Sequence, residues 1–238
     1  MIKMRKGIDV SRWQGNIDWN KVKEDGIEFT ILKAGGSDDG FYTDSKFEQY
    51  YKDAKAVGMP VGAYYFVGPR CVSKEDGIAD AKRFLEIIKG KTFEYPVYID
   101  LESTAPSDKA GATQACIGFC ETMEAAGYYC GIYASDIGGF VDRLDQSKLK
   151  DYDKWVARYG SSPTATPDYG MWQSSDSGRV RGINSNVDTD ECYKDYPTII
   201  KSKGLNGFKK PEPAPEIDWK AKYEEVNAKL DAIKAILK

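Results

Sequence analysis

Tyr95–Glu102 reads YPVYIDLE, a short run of strand-forming residues that ends on two carboxylates, Asp100 and Glu102. Residues two apart in a strand point to the same side. Both carboxylates therefore leave one face at the strand's C-terminal end. Their Cα atoms are expected roughly 6.5 Å apart, at about 3.3 Å of rise per residue. Such a pair suits glycosidic hydrolysis, which needs one acid that donates a proton and one carboxylate that stays charged. The ordinary alternative is that each simply pairs with a Lys or Arg at a strand end.

Working outward, strand-like runs recur behind Gly or Pro. They are Gly7–Val10, Phe29–Ala34, Val61–Val67, Val97–Leu101, Tyr128–Tyr133, Trp155–Arg158, Gly170–Gln173 and, weakly, Val187–Asp188. Helical patterns separate the earlier ones. Ile17–Glu24 follows Asn16 as N-cap, and Ser45–Val57 carries Phe47, Tyr50, Tyr51 and Ala54 on one side. Ser73–Ile88 opens on a capping-box-like start with Asp76, and Thr113–Ala126 closes at Gly127. This alternation predicts βαβ units and a parallel sheet. The later strands lie too close for full crossover helices. The expected fold is an α/β protein: an irregular barrel of eight mainly parallel strands with about five or fewer helices, plus a C-terminal helix. Barrel active sites sit at the C-terminal ends of strands, where Asp9, Asp100, Glu102 and Asp188 all fall.

A chain of 238 residues suits one large domain plus an appendage. A net charge of −3 offers no footprint for nucleic acid. The chain has no histidine, which excludes Ser-His-Asp and Cys-His catalysis and histidine metal sites. Proton transfer must then use carboxylates, Tyr, Lys or Cys. Cys71, Cys116, Cys120, Cys130 and Cys192 make an odd set without metal spacing, and read as reduced, buried small hydrophobes. No metal or cofactor is expected. No apolar run is long enough to span a membrane, and MIKMRKGIDVSRW has no signal-peptide core. The expected site of synthesis is the cytoplasm.

Each remaining candidate has an ordinary alternative. Asp9 is either a site carboxylate or an Asx-turn at a strand end, and Asp188, followed two residues later by Asp190, is a site carboxylate or part of a solvated turn. Tyr64, Tyr65, Tyr133 and Trp172 are walls of a saccharide groove or core packing, and Gln173 is a hydrogen-bonding partner for a substrate amide. The chain divides into a barrel (1–203), a Pro-rich linker (204–216) and a short helix (217–238). In that helix Trp219, Tyr223, Val226, Leu230, Ile233 and Leu237 are spaced 4, 3, 4, 3, 4. This seam either pairs with a second copy or packs on the chain's own barrel.

Seven ordered motifs together resemble the family 25 glycoside hydrolases, the Chalaropsis-type lysozymes. They are GIDVSRWQGNIDW (Gly7–Trp19), FTILKAGG (Phe29–Gly36), VGAYYF (Val61–Phe66), YPVYIDLE, CGIYAS (Cys130–Ser135), MWQSSDSGRVRGI (Met171–Ile183) and NVDTDECY (Asn186–Tyr193). The resemblance covers about residues 6–198. It implies an N-acetylmuramidase acting on peptidoglycan glycan strands, with Glu102 as proton donor. Asp100 would hold the substrate's 2-acetamido group, and Asp9 and Asp188 would be the further carboxylates of the site. Two departures bear on substrate preference: Tyr64-Tyr65-Phe66 where the family commonly has Tyr-His-Phe, and Trp172-Gln173-Ser174 where it has Trp-Gln-Tyr. Carboxylate spacing alone allows inversion, whereas the substrate's acetamido group allows retention, the preferred route. An endolysin released by a holin-like partner, or an autolysin, is the implied setting. A non-catalytic peptidoglycan-binding module and a chitinase-like barrel are the alternatives; the first is disfavoured by the intact carboxylate set, the second by the absence of the longer acidic strand motif.

Overall fold

The protein was analysed as a computed structural model that describes residues 3–212 and 218–236. Among the described residues nine strands form one sheet: β1 (Arg5–Val10), β2 (Phe29–Gly36), β3 (Tyr42–Thr43), β4 (Val61–Phe66), β5 (Val97–Asp100), β6 (Cys130–Ser135), β7 (Asp153–Ala157), β8 (Met171–Gly178) and β9 (Val187–Cys192). β1 pairs with both β2 and β9, so eight strands close into a barrel and β3 hangs on the edge of β2. Every barrel pairing is parallel except the two made by β9, which runs antiparallel to β1 and β8. All eight expected strands are present. The two-residue β3 is the addition, too short to leave a periodic signal.

The helices are α1 (Trp19–Glu24), α2 (Phe47–Ala56), α3 (Lys74–Ile88), α4 (Lys109–Ala125), α5 (Tyr196–Lys203) and α6 (Trp219–Ile236). Two starts differ from expectation. Asp18, not Asn16, caps α1: its backbone is extended and its side chain accepts from the Lys21 N–H. In α3, Ser73 accepts from the Asp76 N–H as expected, but Asp76 reaches back to Val72 and to the Ser73 hydroxyl rather than to the Ser73 N–H. The missing crossover helices fall where the short spacings put them. β6 to β7 carries only a single 3₁₀ turn at Gln146–Lys148, and β7 to β8 carries no helix.

Strand alternation divides the core in two. Outward residues such as Leu32, Ala63, Ile99, Ile132 and Val156 are buried beneath the helices. Inward residues fill the barrel: Phe29, Ile31, Tyr64, Tyr98, Tyr133, Trp155 and Met171. Glycine makes room for the rings. A Cβ at Gly7 would lie 2.2 Å from the Phe29 ring, so the N-terminal end of the barrel tolerates no side chain there. The five cysteines are buried free thiols, as expected.

The expected start of the linker lies inside the packed chain. Asn206 is fully buried with a left-handed backbone (φ 53°), a conformation in which Asn is enriched. Its side chain accepts from the Tyr129 N–H at 2.7 Å and donates to the Phe93 and Tyr95 carbonyls. Leu205 and Phe208 pack on the barrel's inner cluster. The shift in composition after Lys203 marked a change in local sequence, but a buried polar side chain that bonds three backbone groups leaves no such signature. Residues 213–217 of the linker region and Leu237 of the seam lie outside the described residues.

Candidate active site

The C-terminal ends of the parallel strands open into a small cleft of about 180 Å³ lined by Asp9, Lys33, Tyr64, Asp100, Glu102 and Asp188, among others. Strand periodicity explains this grouping. Asp9 continues the inward set of β1 begun at Gly7, and Lys33 continues Phe29 and Ile31 on β2. Asp100 continues Tyr98 on β5. Glu102 lies two residues past Asp100, beyond the strand's end, on the same side. The four carboxylates expected from the sequence therefore converge.

Asp9 and Asp188 are direct partners across the β1–β9 pairing. Asp190 faces inward two residues further along β9 and is 2% exposed, not the solvated turn it resembled in sequence. Its Oδ1 accepts from the Trp155 indole N–H at 2.9 Å. Its Oδ2 is buried with no hydrogen-bond partner. Burial first, and then the charges of Asp190 and Asp188, push the Asp9 carboxyl well above the usual carboxylate range. Burial and Asp176 push Asp188 up to about 6. Burial also raises Asp190, against the lowering effect of the Trp155 hydrogen bond.

Asp100 is 4% exposed, and its Oδ1 is buried with no hydrogen-bond donor. Burial and the Glu102 charge raise its pKa, while Lys33 pulls it down. Glu102 stands at the exposed mouth of the cleft. Desolvation by the surrounding protein still raises its pKa, opposed by Lys33 and assisted by Asp188. Lys33 is the cation of the cleft. Its Nζ lies 4.3 Å from the Phe66 ring centroid, and the register between β2 and β4 shifts just after it. Such a bulge re-aims a side chain.

The expected substrate-binding residues separate. Tyr64 lines the cleft. Gln173 is buried beneath it: its Nε2 donates to Asp9 at 2.8 Å, and its Oε1 accepts from the Tyr133 and Tyr159 hydroxyls. Gln173 and Tyr133 thus orient Asp9 instead of facing outward. Trp172 alternates with Gln173 and stands on the barrel's outer side, its indole N–H donating to the Arg158 carbonyl at 2.7 Å. It is not among the residues that line the cleft. Sequence reasoning missed Lys33, Tyr159 and Trp13. Lys33 was readable in principle, as a charge in the inward register of Phe29-Thr30-Ile31-Leu32-Lys33. Trp13 is 72% exposed at the cleft rim, under the Arg12 guanidinium.

Comparison with known proteins agrees with this geometry. The family described as "Glycosyl hydrolases family 25" matches residues 8–183. The autolytic lysozyme of Clostridium acetobutylicum is 32% identical over 206 residues, covering 85% of this chain and 61% of the relative. Lysozyme M1 of Streptomyces globisporus is 29% identical over 212 residues, covering 78% of this chain and 67% of the relative. The crystal structure of the CTP1L endolysin superposes with a TM-score of 0.70 at 29% identity, covering 83% of this chain and 70% of that one. The chain spans about three fifths of the length of the Clostridium relative.

Proposed function

The chain belongs to the glycosyl hydrolases of family 25, and on that premise we propose that it is a peptidoglycan hydrolase, an N-acetylmuramidase. It cleaves the β-1,4 bond from N-acetylmuramic acid to N-acetylglucosamine, as the lysozymes similar to it support. One observation carries the chemistry: the buried Asp100 Oδ1 has no donor from the protein and lines the same cleft as Glu102. An orphaned buried acceptor is costly unless a ligand completes it. The substrate's acetamido N–H is a donor of the right kind.

In the proposed reaction Glu102 donates its proton to the glycosidic oxygen as the C–O bond breaks. The acetamido carbonyl oxygen attacks the anomeric carbon, and Asp100 accepts the N–H as positive charge develops on that group. Water then attacks the anomeric carbon, gives its proton to Glu102 and reopens the ring. Two displacements retain the β configuration. Asp9 and Asp188 line the opposite wall, and Tyr64 offers the sugar an aromatic face. Turbidity of purified Gram-positive walls tests the reading. Wild type clears them, and Glu102→Gln clears them about 10²- to 10⁴-fold more slowly, the usual worth of a general acid. Binding without clearance by wild type makes the chain a binding module instead. Product anomers followed by NMR test the route, and initial release of the α-anomer rules retention out.

The finer setting is an endolysin that a holin-like partner releases to the wall; likeness to the CTP1L endolysin supports it. Lysis of an expressing host only when a holin is co-expressed checks this. Pairing with a second copy through 217–238 has the exposure it needs, since the α6 apolar stripe is uncovered. The charges beside that stripe weigh against it.

A further inference from the structure

None of the α6 side chains is buried, and its apolar stripe faces solvent along its length. Trp219 is 71% exposed, Tyr223 68%, Val226 58%, Leu230 46% and Ile233 55%. At 3.6 residues per turn these five share one face. The positions bordering them are Lys220, Asn227 and Lys234 on one side, and Lys222, Lys229 and Ile236 on the other. Beyond the lysines come Glu224, Glu225 and Asp231, and the back of the helix is alanine: Ala221, Ala228, Ala232 and Ala235.

That order bears on what covers the stripe. In a coiled coil the bordering positions meet their counterparts on the partner helix and select it by charge. In a parallel pair Lys229 would face Lys234 of the second copy, and in an antiparallel pair lysines would again meet lysines. No acidic residue occupies any bordering position, so self-pairing gains no ion pair across the seam. A lysine beside an apolar face can instead lay its stem along the face and lift its ammonium to a layer of negative charge. Trp and Tyr suit the boundary between apolar and wet layers. Glu225 and Asp231 make exposed ion pairs with Lys229 and Lys234 along the helix, the weak kind that a layer of headgroup charge can replace, while Lys220 and Lys222 make none among the described residues.

We infer that α6 is an interfacial helix that lies on an anionic phospholipid bilayer, its Trp219–Ile233 stripe among the acyl-chain ends and its lysines at the headgroup phosphates. It lies on the surface and does not cross it, since no described helix is long and apolar enough to span a membrane. The inference stands apart from the hydrolase reading, because α6 contributes no residue to the cleft.

Co-sedimentation of the full chain with vesicles tests it. Vesicles of phosphatidylglycerol and phosphatidylcholine in equal parts should retain about tenfold more protein than phosphatidylcholine alone, with the difference lost at high salt. Exchanging Lys220, Lys222, Lys229 and Lys234 for Glu should abolish the preference, and Leu230→Asp with Ile233→Asp should abolish binding altogether. Both variants should hydrolyse soluble glycan fragments at the wild-type rate, which confirms that the barrel is folded. Equal recovery on the two kinds of vesicle overturns the inference. So does a doubling of mass in sedimentation equilibrium that Leu230→Asp removes, since a second copy would then cover the stripe.

Discussion

Asp9, Asp188 and Asp190 stand where β9 runs antiparallel between β1 and β8, whereas Asp100 and Glu102 stand at the end of β5 among parallel neighbours. On the antiparallel side Gln173 donates to Asp9 and Trp155 to Asp190 Oδ1, and the unpartnered Asp190 Oδ2 lies outside the cleft lining. On the parallel side Asp100 keeps an orphaned oxygen and Glu102 stands exposed, with Lys33 as the nearby cation. The two sides show how one ring of acids divides its labour. A carboxylate already saturated with protein donors is fixed in place; one left unsatisfied is available to a substrate.

Removing the open acceptor should separate the sides most clearly. Asp100→Asn puts an amide where the proposed reaction sets a carboxylate against the substrate N–H, and kcat on glycan fragments should fall about 10²-fold with little change in melting temperature. A loss below about threefold would mean that Asp100 does not meet the reacting group. Lys33→Met is the next test. Lys33 lowers both Asp100 and Glu102, so its removal lets Glu102 keep its proton to higher pH. The alkaline limb of the pH–rate profile should move upward; a shift downward would break the assignment of Glu102 as the acid.

The antiparallel side answers in stability. Asp190 is raised in the folded state, so it binds its proton more tightly there than in the unfolded chain. Its contribution is intact below the unfolded pKa and is lost as pH rises through the folded one. Asp190→Asn keeps an acceptor for Trp155 and removes the buried charge. It should stabilise the chain by about 1 kcal/mol at neutral pH and by much less near pH 4, as read by urea denaturation. Equal gains at both pH values would show that Asp190 is not the titrating group. Smallest of all, Trp172→Phe on the outer side should leave KM for glycan fragments within about twofold.

How much of this was legible in sequence follows from which signals are local. Strand-like runs behind Gly or Pro marked all eight barrel strands, and position at or just past the strand ends marked Asp9, Asp100, Glu102 and Asp188. Trp172 and Gln173 show the limit: a residue's side of the barrel turns on one step of register, and the two adjacent residues were read alike. The burial of Asp190 was not legible because it depends on Trp155, 35 positions away. α5 escaped notice because its eight residues, with Pro197 as the second, carry little more than two turns of pattern. The helical seam of α6 was clear, yet its covering surface depends on the order of charges beside it and not on its spacing.

Asn206 has a consequence for anyone who would move this barrel onto another protein. The side chain ties the chain after α5 to the strand starts at Tyr95 and Tyr129, at the end of the barrel opposite the cleft. Trimming at Lys203, where composition changes, would pull that stopper and leave five backbone groups without partners: the Phe93 and Tyr129 N–H and the Phe93, Tyr95 and Gly127 carbonyls. The transferable unit ends past Phe208, and a graft joined there would carry its own floor.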